Sequence, residues 1–141
     1  MRITKRIELD YGHTLPQHYS FCSQLHGHRG RIEAVVDGEL NVKEGDSSQG
    51  MVLDFGILKQ IMMDEVHAKL DHAFAVWIND TADLEFIKTR NTRYLITPVP
   101  PTAEYLAQWS YEVIAARLPA DMSLLYVRWY ETPNSWADYP S

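Results

Sequence analysis

The chain predicts an α+β fold, because two hydrophobic rhythms occupy separate stretches of it. Residues 3–13, 26–36 and 123–131 alternate apolar with polar side chains, as half-buried strands do. Residues 55–70 and 102–118 instead repeat their apolar positions every three to four residues, the rhythm of helices with one buried stripe.

In the first strand Ile7, Leu9, Tyr11 and His13 share one face while Arg6, Glu8 and Asp10 take the other. A loop carrying His18 and Cys22 follows. From His26 the even positions His28, Ile32, Ala34 and Val36 share a face, opposite Arg29, Arg31 and Glu33, until Asp37-Gly38 offers a turn. The two strands are expected to pair as an antiparallel ribbon. Residues 43–50, KEGDSSQG, are polar and glycine-rich and read as an exposed loop.

A helix from about Phe55 to Leu70 follows from Leu58, Met62, Val66 and Leu70, and it delivers Asp71-His72 at its end. Residues 83–88 suggest a short helical turn, Tyr94–Ile96 a short strand, and Pro98, Pro100 and Pro101 an interruption. Thr102 then suits the N-cap of a second helix that buries Leu106, Trp109, Val113, Ile114 and Leu118 and stops at Pro119. In the last strand Leu125, Val127, Trp129 and Glu131 share the more apolar face. A carboxylate there needs a partner or marks the mouth of a site.

At 141 residues the chain suits one domain over 1–141 with its own core. A formal net charge of −6 argues against sequence-independent nucleic-acid binding, which relies on clustered Lys and Arg. No apolar run approaches the roughly 20 residues that span a bilayer. A single cysteine excludes an intrachain disulfide, and the first residues lack the apolar core of a secretory signal, so a cytoplasmic setting is expected.

The stretch CSQLHGH, Cys22 to His28, carries the chemistry. Residues two apart on a strand share a face, so His26 and His28 can grip one ion, and His13 at the end of the neighbouring strand completes a trio. Three imidazoles suit Zn²⁺ and leave a fourth position for water or substrate. The bland alternative is a polar strand start. Cys22 has three readings: a small buried hydrophobe, a fourth ligand that would close the site, or a base, since a thiol beside a cation ionises more readily. Asp71-His72 reads equally as a helix-terminal pair, and Glu104 as a first-turn acid favoured by the helix dipole. His18 and His67 read as ordinary surface or structural histidines.

The pieces YGH, CSQLHGH, MVLDFG, LDHAF, PPTAEYLA and YETPNSWA, in this order, resemble the family of pyruvoyltetrahydropterin and 6-carboxytetrahydropterin synthases over nearly the whole chain. Three residues between the thiol and HGH resemble the bacterial 6-carboxytetrahydropterin synthase type, which serves queuosine and 7-deazaguanine biosynthesis. The resemblance implies a tunnelling (T-) fold: a four-stranded antiparallel sheet with two main helices packed on one face, assembled into a homohexamer as a dimer of trimers. It implies that His13, His26 and His28 hold catalytic zinc, that Cys22 accepts a proton, and that Asp71 and His72 relay one. It further implies that Glu131 anchors a pterin ring with Thr102 and Glu104 beside it. The implied substrate is 7,8-dihydroneopterin triphosphate, with 6-carboxy-5,6,7,8-tetrahydropterin, acetaldehyde and triphosphate as products. Alternatives on the same scaffold are pyruvoyltetrahydropterin formation, dihydroneopterin side-chain cleavage, and non-catalytic pterin binding. Gly12, Arg29, Pro100 and Tyr105 depart from the family's usual residues.

Overall fold

A computed structural model of the chain describes residues 1–141. Its strands are β1 (Arg2–His13), β2 (His26–Asp37), β3 (Ala73–Trp77), β4 (Tyr94–Thr97), β5 (Ser123–Thr132) and β6 (Ser135–Tyr139). They form one sheet in the order β4-β3-β1-β2-β5-β6. Neighbours among β1, β2, β5 and β6 are antiparallel, whereas β3 runs parallel to both β1 and β4.

The expected four-stranded antiparallel sheet is therefore corrected to a six-stranded mixed one. β3 and β6 are the additions, and neither alternates in a way that periodicity detects. β3, AFAVW, is hydrogen-bonded on both sides and reads as an unbroken apolar run. β6, SWADY, is an edge strand with an exposed Trp136.

The long helix α1 (residues 55–70) is α-helical over Phe55–Met62, π-helical over Met63–His67 and α-helical again over Ala68–Leu70. Its apolar residues explain the wide turn. A strict spacing of four drifts about 40° per step around an ordinary α-helix, and a π-helical segment takes up that drift. Leu58, Met62, Val66 and Leu70 consequently all stay fully buried. Asp54 caps the N-terminus by accepting from the Gly56 N–H at 2.6 Å.

α2 (Thr81–Arg90) extends the helical turn expected over 83–88 to a full helix capped by Asp80; only Ile87 of it is buried, so no apolar stripe announces its length. α3 (Ala103–Ala115) has Thr102 as its N-cap, as expected.

α1 and α3 bury Leu58, Ile61, Met62, Val66, Leu106, Ala107 and Ile114 in one cluster with Ile7, Leu9, Tyr11, Ile32, Ala34, Val36, Val127 and Trp129 of the sheet. The opposite face carries cross-strand charges, with Arg6 on Glu33 and Arg128 bidentate on Asp138 at 2.6 and 2.7 Å. The β2–β5 register shifts between Val35 and Val36, so Leu124 is buried in the core and Leu125, expected there, is only half-buried.

Candidate metal centre and active site

Strand register builds the histidine cluster. His13 lies directly opposite His26, and Tyr11 opposite His28, so three imidazoles meet on the helix-covered face at one end of the β1–β2 ribbon. Their ligand atoms all lie within 4.8 Å of one another, and the Nε2 atoms of His13 and His28 are 3.1 Å apart. Ligands at about 2.0–2.1 Å from a shared tetrahedral ion stand about 3.3 Å apart, so the spacing fits a common focus.

The outer nitrogens are already spoken for. His13 Nδ1–H donates to the Pro101 carbonyl at 2.7 Å and His26 Nδ1–H to the Gln24 carbonyl at 2.6 Å. Each contact fixes a tautomer with the lone pair on Nε2, the arrangement that metal-binding histidines use. Burial pushes the His13 imidazole down to about 4, against the pull of the Pro101 carbonyl and with the help of His26 and His28. Burial also lowers His28, against the opposing charge of Glu131. Neutral imidazole is the ligating form, so the donor set fits a divalent ion.

Tyr11 and Trp129 make the floor. Trp129 Nε1–H donates to the Tyr11 hydroxyl at 3.3 Å, and burial holds that hydroxyl above its ordinary pKa. The Tyr11 ring occupies the space over Gly30, where an added Cβ would fall 2.9 Å from it. Glu131 turns its carboxylate toward the trio, 3.9 Å from His13 Nε2 and 3.8 Å from His28 Nε2. The β5–β6 register shifts between Tyr130 and Thr132, at this residue. A carboxylate on the apolar face thus has two imidazoles as neighbours.

Asp71 and His72 form a second unit at the end of α1. Asp71 Oδ1 accepts from the Asp10 N–H at 3.0 Å, and Oδ2 accepts from His72 Nδ1–H at 2.7 Å. Burial would raise the Asp71 carboxyl, but the Asp10 amide and the flanking His72 and His67 imidazoles outweigh it and lower the carboxyl. His67, expected as an ordinary histidine, stands with Nε2 3.7 Å from Asp71 Oδ2. A cavity of about 450 Å³ is lined by His72 together with His26, His28, Gly12 and Phe74. The Phe74 ring fills the space over Gly12, where an added Cβ would fall 2.3 Å from it, so a larger residue would have to displace the ring. A second cavity of about 300 Å³ shares Gly27 and His28 with the first and is lined also by Glu131, Arg31 and Tyr130.

Three expected site residues line neither cavity. Cys22 lies half-buried in the turn Phe21–Ser23, and its sulfur is not among the converging donor atoms. Thr102 accepts from the Tyr105 N–H at 3.3 Å as a helix cap, and Glu104 is exposed in the same first turn. Their stretch nevertheless reaches the metal centre through the Pro101 carbonyl. Sequence reasoning missed that backbone contact and also missed Tyr11 and Trp129, which alternation marks only as core.

The profile described as 6-pyruvoyl tetrahydropterin synthase matches residues 2–141. A Haemophilus influenzae protein named 6-carboxy-5,6,7,8-tetrahydropterin synthase is 29% identical over 98% of this chain and 97% of its own length. Among solved structures, an uncharacterized protein from Wolinella succinogenes aligns with a TM-score of 0.76 at 25% identity, covering 98% of this chain and 96% of that one. The 6-pyruvoyl tetrahydropterin synthase of Caenorhabditis elegans shares the fold with a TM-score of 0.69 at 22% identity, covering 99% and 94%. No helix of this chain is long and apolar enough to cross a membrane.

Proposed function

The chain belongs to the 6-pyruvoyl tetrahydropterin synthase family, and from that premise we propose that it is a lyase of the 6-carboxytetrahydropterin synthase type. Its substrate in this reading is 7,8-dihydroneopterin triphosphate, which with one water is converted to 6-carboxy-5,6,7,8-tetrahydropterin, acetaldehyde and triphosphate. The reading includes a role in queuosine biosynthesis, a cytoplasmic setting and a homohexameric assembly. The observation that carries it is the convergence of three imidazoles on one focus, with His72 lining a cavity beside two of them, His26 and His28.

His13, His26 and His28 would hold Zn²⁺, which when bound supplies Lewis acidity toward the side-chain hydroxyls and makes the adjacent C–H more acidic. Cys22, as thiolate, takes the proton from that carbon. His72 handles the second proton through Nε2, because its Nδ1–H is held by Asp71. Glu131 accepts from the ring N–H and exocyclic amine of the pterin together, a bidentate contact that is strong where water is excluded. Thr102 and Glu104 support the ring, in a site that lies between neighbouring copies of the chain.

The test is product identification by mass spectrometry after incubating zinc-loaded protein with dihydroneopterin triphosphate. The 6-carboxy product is expected, and Cys22→Ala should yield none while retaining zinc and pterin binding. A pyruvoyl product or dihydroneopterin side-chain cleavage would overturn the reaction assigned here. Loss of zinc from the Cys22 variant would make the thiol a ligand.

A further inference from the structure

His72 is the one residue other than glycine with a positive φ, at 55°. A side chain in this left-handed conformation persists only where its surroundings hold it. From the sheet side, the His72 N–H donates to the Asp10 carbonyl at 2.7 Å. The other side is held by Arg93, an exposed residue in the segment before β4, 22 positions after Asp71.

Arg93 Nε and Nη2 donate to the Asp71 carbonyl at 3.1 and 2.9 Å, and Nη2 also donates to the Ala68 carbonyl at 2.7 Å. Helix ends leave carbonyls without intrahelical donors, and a planar guanidinium is the one side chain that spans two of them as a rigid fork. The Asp71 carbonyl belongs to the peptide unit whose rotation sets φ of His72. Gripping it therefore fixes where the imidazole stands relative to the Asp71 carboxylate.

We propose that Arg93 is a positioning residue that locks the Asp71–His72 pair into its hydrogen-bonded geometry. This rests on the reading of that pair as the proton-handling unit. Arg93 touches no reacting atom in this scheme. It acts through one peptide group.

The proposal is tested on the zinc-loaded full chain with Arg93→Ala and Arg93→Lys. ¹⁵N-histidine NMR should show the Nδ1–H tautomer of His72 in the parent protein and a shift toward the Nε2–H tautomer in Arg93→Ala. Turnover number should fall roughly 10- to 100-fold while KM changes little, the signature of lost orientation rather than lost binding. Added guanidinium should restore part of it, since the site of Arg93 is open to solvent. Arg93→Lys, which keeps the charge but replaces the planar fork with a single ammonium nitrogen, should fall between the two and covers the case in which the alanine variant does not fold. An unaltered His72 tautomer in both variants would overturn the proposal, as would loss of activity that tracks unfolding and resists guanidinium. If the parent protein fails to convert the triphosphate, the proposed reaction falls, and the tautomer measurement still decides the role of Arg93.

Discussion

The histidine trio and the Asp71–His72 pair meet at one cavity, which His26 and His28 of the trio line together with His72 of the pair, yet the fold holds them by different means. The trio grows out of paired strands. His13 is 1% exposed, lies against buried Tyr11, and has its orientation set by the same register that aligns the core. The pair sits on a single turn beyond a helix end, with the His72 side chain 75% exposed and its backbone in an unfavourable conformation held by a few hydrogen bonds. A cluster able to hold a metal can thus be finished by folding one chain. His72 is left at the surface, where little packing restrains it.

The largest difference should appear in metal binding. His13→Ala removes a buried ligand and is expected to weaken zinc binding well beyond the roughly 10- to 100-fold that outer-shell changes cause. His72→Ala should leave zinc affinity unaltered. Competition with a chromogenic chelator measures both. A comparable loss in the His72 variant would mean that the pair and the trio are not separable.

The next difference lies in how metal-free stability depends on pH. His13 titrates near 6.5 in the unfolded chain and near 4 in the fold, so between those values only the unfolded state takes up the proton. Its contribution is intact above pH 6.5 and is lost as pH falls toward 4, a swing of roughly 3 kcal/mol. His28, lowered by the same burial, adds in the same direction. Asp71 behaves differently, because its carboxyl is lowered from 3.8 and its stabilisation is lost only below that value. Urea midpoints of the zinc-free protein should therefore slope downward from pH 6.5, and His72→Ala should keep that slope. A flat profile between 6.5 and 4 would show that the imidazoles are solvated before metal arrives.

What the sequence discloses follows the same division. Alternation in β1 and β2 places His13, His26 and His28 on one face, because strand periodicity and side-chain direction are the same fact. The spacing in α1 likewise marks Leu58, Met62, Val66 and Leu70 as buried. The Asp71–His72 pair is legible only through family resemblance, since its geometry depends on the φ of one residue and on carbonyls that carry no sequence signal. The contact of Pro101 with His13 is hidden for that reason too. β3 escaped because it has neighbours on both edges and shows no polar alternation, and the Leu124–Leu125 exchange escaped because a register shift is a local departure from period two.

The smallest effect, and the sharpest test of the contrast, belongs to the stability of His72→Gly. A non-glycine residue in the left-handed region costs of order 1–3 kcal/mol, which glycine would relieve. Against this, glycine adds conformational freedom to the unfolded chain, worth about 1 kcal/mol, and the substitution deletes the Nδ1–H contact to Asp71, worth about 1 kcal/mol at an exposed position. These contributions nearly cancel, so the melting free energy should stay within about 1 kcal/mol of the parent while turnover is lost and zinc is retained. If His72→Gly instead lowers stability by more than about 2 kcal/mol, the range of a buried-network loss, then the imidazole is part of what holds the turn. The pair would then be as much a structural element as the trio, and its exposure would not signify freedom to move.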